Sequence, residues 1–88
     1  LNNQLVHEIS EAMARRVVEE VGNQKGAAIR RAWQLAFSRE PSASEATAAA
    51  RHMEMQRAYF EARENSQQLA FTSLCHVLLN TNEFIYVD

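Results

Sequence analysis

The stretch Leu69-Ala70-Phe71-Thr72-Ser73-Leu74-Cys75-His76-Val77-Leu78-Leu79 decides the fold. Wound at about 3.6 residues per turn, its apolar side chains cover most of the helix circumference. A helix apolar nearly all round is a central one, so the rest of the chain must enclose it. The spacing predicts this helix from Asn65 or Ser66 to about Asn80. Beyond it a polar patch, Asn80-Thr81-Asn82-Glu83, gives way to Phe84-Ile85-Tyr86-Val87. Those side chains must be hidden from water, and the tail is expected to pack over the tip of the central helix.

Working outward, apolar residues recur at helical spacing throughout and no segment alternates with period two. A first helix is expected over Asn3 to Val21, with Leu5, Ile9, Ala12, Met13, Val17 and Val21 as its core stripe. Gly22 stops it, because glycine accepts the left-handed conformation a helix end needs. A second helix is expected from Gly26 to Phe37, burying Ile29, Ala32, Trp33, Ala36 and Phe37. Glu40 precedes Pro41, which disfavours helical backbone there. Ser42 with Glu45 three residues later forms a capping box that opens a third helix, expected to run to about Arg63. Along it Ala46, Ala49, Ala50, Met53, Tyr59 and Phe60 are available for packing. The reading is an all-α fold, a compact four-helix orthogonal or up-down bundle with a packed C-terminal tail. The anticipated core is Trp33, Phe37, Phe60, Phe71, Leu74 and Leu78, sealed by Phe84 and Tyr86.

The composition bounds what such a bundle does. Its 88 residues make a single helical module, 47% apolar and 23% charged, as in ordinary globular domains. Two glycines and one proline leave room for long helices and few turns. A net charge of −2 gives no general attraction to nucleic acid or to an anionic membrane. One cysteine forms no internal disulfide. No apolar stretch approaches the roughly 20 residues of a membrane span. Leu1 is not an initiator methionine, and the chain is expected to be a segment of a longer polypeptide.

Candidate chemistry is sparse. Cys75 and His76 are adjacent, but neighbouring helical residues point about 100° apart and do not readily share a metal or a proton. A c-type haem attachment needs a second cysteine at the position of Thr72. His7 and Glu11 share a helix face at i, i+4, with no second cluster to complete a coordination shell. Nothing in sequence pairs with His52. Arg30, Arg31 and Arg39 around Trp33 suggest a helix-turn-helix, but Glu40, Glu45 and Pro41 occupy the same region, so nucleic acid is not an expected partner. The most suggestive polar cluster is His76, Asn80, Asn82 and Glu83, at a helix end whose last carbonyls lack intrahelical partners. Closure of that end is the plain reading; contact with a ligand is the alternative. No catalytic, cofactor-binding or metal residue is assigned.

Three segments together carry a resemblance. They are Leu1-Asn2-Asn3 with Val6-His7-Glu8; Ile29 to Pro41 followed by Ser44-Glu45; and Leu74 to Asp88. They resemble the leucine-asparagine start, the arginine-x-proline turn and the closing motif of the planctomycete domain of unknown function that accompanies cytochrome c-like domains in large proteins. The resemblance covers essentially the whole chain and matches the C-terminal end of that family's domain. Ser38 stands where such a turn often carries glycine. The resemblance implies a large exported, cell-envelope parent protein and no established catalytic activity; any haem would belong to another domain of the parent. The expectation is therefore a non-catalytic structural or interaction module, with the parent's remaining domains as partner. Self-association is a further expectation. The alternative is a contribution of polar residues to a hydrolytic or redox site completed by the parent.

Overall fold

The computed structural model describes residues 3–81, and they form four α-helices with no strand among them. The helices are α1 (Asn3–Val21), α2 (Lys25–Phe37), α3 (Ala43–Tyr59) and α4 (Ser66–Leu79). The radius of gyration is 12.3 Å, against about 12 Å for a tightly packed chain of this length. The expected packing of Phe84 and Tyr86 lies outside the described residues.

The central position of α4 follows from what it buries. Ala70, Phe71, Leu74, Cys75, Leu78 and Leu79 are all buried, and α4 packs chiefly on α3 and α1. Fully burying a side chain such as Phe71 or Leu74 stabilises by about 1.5–3 kcal/mol. Helix α2 packs on the other three, whereas α1 and α3 do not meet among the described residues. Burial of α4 is incomplete on the side of Thr72, Ser73 and His76, which are half-buried, and of Val77, which is 47% exposed.

Helix α1 has the anticipated bounds but is rotated about its axis. Its buried residues are Val6, Ser10, Ala14 and Val17. Leu5 is 39% exposed, Ala12 is exposed, and Ile9, Met13 and Val21 are only half-buried. Of the predicted stripe only Val17 is fully buried; Val6, Ser10 and Ala14 complete the inward face. The buried face uses small residues, which let helices approach closely. Ser10 tolerates full burial because its hydroxyl donates to the Val6 carbonyl at 2.7 Å.

Helix α2 begins one residue earlier than expected and buries Ala28, Ile29, Ala32 and Trp33. Phe37 is a correction to the anticipated core. It is only partly buried, edge-on to Trp33 at 5.9 Å, with the Arg39 guanidinium 5.6 Å from its ring centre.

Helix α3 starts as predicted. Ser42 accepts from the Glu45 N–H at 3.1 Å, and the Glu45 carboxylate accepts from the Ser42 N–H at 2.8 Å. It ends at Tyr59, short of the expected Arg63. Residues 61–65 are all exposed, so continuing the helix would bury nothing. Tight turns replace it, with Arg63 N–H to Phe60 O at 2.8 Å and Ser66 N–H to Arg63 O at 3.2 Å. Tyr59 is therefore 79% exposed, and Phe60 is half-buried outside the core. Their rings stack edge-to-face at 4.9 Å.

Two turns close the helices that precede them. Gly22, at φ 75°, takes the left-handed conformation and its N–H reaches Val18 O at 2.9 Å. Ser38 does the same without glycine, at φ 58° and ψ 31°, with its N–H to Gln34 O at 2.9 Å. A non-glycine residue is disfavoured there by the contact of its Cβ with the carbonyl oxygen.

Three outcomes are expected. Ser38→Gly relieves that contact and raises stability by up to about 1 kcal/mol in urea unfolding, the cost for an L residue being partly offset by glycine's greater freedom when unfolded. Leu74→Ala lowers stability by about 2–5 kcal/mol, shifting the urea midpoint at constant m. Glu45 gives a pH dependence: hydrogen bonds from Arg39, then from the Ser42 backbone, hold its carboxyl at about 2, below the usual 4.5. That stabilisation is complete above pH 4.5 and is lost as pH falls towards 2. Glu45→Gln flattens this part of the urea-midpoint profile.

Candidate functional site

The helix end that carries the predicted polar cluster is closed locally. The Asn80 side-chain amide donates to the His76 carbonyl at 2.9 Å and to His76 Nδ1 at 3.1 Å. With Nδ1 accepting, the proton of the neutral ring is assigned to Nε2. The Thr81 hydroxyl donates to the Leu78 carbonyl at 2.9 Å. Asn80 thus satisfies a carbonyl of the last helical turn, the role that the plain reading gave it. Asn82 and Glu83 lie outside the described residues.

Cys75 and His76 diverge as helical geometry requires. Cys75 is fully buried, and burial pushes its thiol up to about 12, which keeps it protonated and unreactive in the native fold. His76 is half-buried and faces a cleft of about 370 Å3 between α1, the end of α3 and α4. His7, Glu11, Gln56, Phe60 and Ser73 also line that cleft. His7 Nε2 lies 3.6 Å from Glu11 Oε1, both side chains being largely exposed. Two histidines, a carboxylate and the hydroxyls of Thr72 and Ser73 therefore share one concavity. No group of three or more metal-ligating side chains forms among the described residues.

His52 does have a partner that the sequence concealed. Its Nε2 lies 3.0 Å from Ser73 Oγ, joining α3 to α4. The distance suits a nucleophile and its base. The surroundings do not complete that chemistry. No carboxylate or carbonyl orients the other ring nitrogen among the described residues, and Ser73 stands mid-helix. The backbone N–H groups around it are committed to the helix, so none is left to hold an oxyanion. The pair acts as a strap between helices. Only tertiary packing brings together residues 21 apart, so no local pattern announces it.

The basic residues that suggested nucleic acid are met by carboxylates. Arg39 forms a bidentate pair with Glu45 at 2.8 and 2.9 Å, Arg30 meets Glu40 at 3.3 Å, and Arg31 meets Glu20 at 2.8 Å. Arg16 also binds Glu20, at 2.7 Å, and these two arginines hold the Glu20 carboxyl below its ordinary range. No helix among the described residues is long and apolar enough to cross a membrane.

Two further concavities are apolar. The first, about 300 Å3, is lined by Ile9, Ala12, Met13, Leu35, Ala36 and Leu79, with Arg16 at its edge. It uses the α1 side chains that rotation of the helix left out of the core. The second, about 350 Å3, lies among α2, α3 and α4 and includes Trp33, Ala48, Ala49, Leu74 and Val77. Compared with known proteins, the chain matches no family model, no curated protein and no solved structure.

Proposed function

We propose that this chain is a non-catalytic helical module that docks onto the remaining domains of a larger exported protein, of the planctomycete type associated with cytochrome c-like domains. The observation that carries the reading is the apolar stripe of α1. Leu5, Ile9, Ala12 and Met13 lie at or outside the edge of the core, and three of them line a groove with Leu35, Ala36 and Leu79. Side chains of that size at helical spacing are normally buried, and a partner surface provides the burial that the module's own helices do not. The resemblance to the C-terminal part of a family's domain supplies the partner: the preceding part of the same polypeptide. It also supports an extracytoplasmic or cell-envelope location. The buried thiol, the strapped His52–Ser73 pair and the self-closed helix end favour a structural role over chemistry within the module.

The test uses Ala12, which is exposed and so tolerates substitution in the isolated fold. Ala12→Glu places a charge in the groove. It is expected to weaken binding to the separately produced remainder of the parent by about tenfold or more in calorimetry, the equivalent of about 1.4 kcal/mol. The melting behaviour of the module itself should stay within about 0.5 kcal/mol of the original. Unchanged affinity, or sedimentation showing that the groove instead pairs two copies, overturns the proposal.

A further inference from the structure

The polar cleft between α1, the end of α3 and α4 holds side chains that the fold itself leaves unused. We propose that it binds a neutral saccharide, with the amides of Gln56, Asn65 and Gln68 pairing with sugar hydroxyls and Phe60 and Leu69 meeting the apolar face of a sugar ring. Three observations lead to this ligand class.

The first is a set of uncommitted amides. Gln56 comes from α3, Asn65 from the turn before α4 and Gln68 from the first turn of α4, and all three line the cleft. None of the three side chains hydrogen-bonds to a described residue. Asn65 holds the position where an asparagine usually caps a helix. Its backbone, at φ −98° and ψ 30°, lies outside the extended region that capping favours, and its amide makes no cap. Amides elsewhere in the fold are used: Asn80 closes the end of α4, and Gln34 links Arg31 to Glu40.

The second is the mixture of donors and acceptors around those amides. Asn80 donates to His76 Nδ1, so the neutral His76 ring offers the cleft an Nε2–H donor and no lone pair for a metal. Glu11 and the hydroxyls of Thr72 and Ser73 add acceptors. A sugar hydroxyl, like that of serine, both donates and accepts. One side-chain amide can therefore serve two neighbouring hydroxyls, donating to one and accepting from the other.

The third is charge and shape. Among the described residues the cleft has no lysine or arginine in its lining and a single carboxylate. Phosphate-bearing ligands call for guanidinium or ammonium groups, and hard cations for several carboxylates. A neutral ligand fits what is there. The volume of about 370 Å3 suits a small molecule, for which sites run from about 300 to 1,000 Å3. Phe60, steadied edge-to-face by Tyr59 at 4.9 Å, gives the C–H groups of a sugar ring an apolar surface. The inference stands apart from parent docking: the docking groove shares no lining residue with this cleft, so failure of either reading leaves the other untouched.

The experiment is an NMR titration of the intact 88-residue chain with cellobiose, maltotriose and chitobiose in turn. At least one of them is expected to move the side-chain amide signals of Gln56, Asn65 and Gln68, saturating in the millimolar range. The indole N–H of Trp33, the single tryptophan, lines the second apolar groove instead and should stay still. The double variant Gln56→Ala with Gln68→Ala is expected to weaken that binding by about two- to tenfold or more, the loss of one or two net hydrogen bonds, with helical circular dichroism retained. Should the variant unfold, the amide shifts of the unsubstituted chain decide. Amide signals unmoved by all three sugars at high millimolar concentration overturn the inference. So do cleft signals that answer only to zinc chloride or to inorganic phosphate, and so does saccharide affinity unchanged in a folded double variant.

Discussion

The need to bury α4 on several sides at once governs this fold. Phe71, Leu74, Cys75, Leu78 and Leu79 are buried, while Gln68, Thr72, Ser73 and His76 stand half-buried on its other side. Burial of this kind is non-directional and roughly proportional to area, so it demands partners without specifying which. The chain meets the demand by laying α1 and α3 against α4 and bridging them with α2. One capping box opens α3, and left-handed turns at Gly22 and Ser38 close α1 and α2. The surface ion pairs join exposed or part-exposed side chains, and such contacts add little stability individually. Their main effect is to set the turn between α2 and α3, where Arg39 and Ser42 converge on Glu45.

What was legible in the sequence follows from which signals are local. The bounds of α1, the capping box at Ser42 and the stop at Gly22 depend on residues within a few positions of one another. The sequence shows them because the physics is local. The rotational setting of α1 depends on what lies opposite, and large side chains outvoted Ser10 and Ala14 in the reading. A serine that bonds its own helix's carbonyl behaves in the core as a small residue, which hydropathy alone does not convey. The premature end of α3 is similar. Glu61, Ala62 and Arg63 are good helix formers by intrinsic preference, but preference is weak where no face is buried.

The same distinction applies to the candidate site. Asn80 closing the helix end was readable because the acceptor is four residues away. The divergence of Cys75 and His76 was readable from helical geometry alone. The His52–Ser73 strap and the shared cleft of His7, Glu11, Ser73 and His76 were not, because each joins residues from different helices. Ser38 lies between these cases. Its position in the turn was clear, but a left-handed serine is tolerated only because the surrounding turn fixes the backbone there.

Part of the apolar surface that the four helices leave uncovered gathers in two grooves, while Leu5, Met55 and Tyr59 are exposed outside them. Both apolar grooves border α2, Leu35 and Ala36 facing one and Trp33 the other, and both reach the C-terminal turn of α4 through Leu79 and Leu78. Since α1 and α3 do not meet, α2 alone spans the gap between them on that side. At 13 residues it is the shortest of the four helices. One short helix laid over α4 leaves a strip open on each of its flanks. The polar cleft with His7 and His76 lies where α1 and the end of α3 approach α4, and it borders the second groove at Val77. The first groove and the polar cleft share no lining residue. That difference in lining supports the proposed packing role.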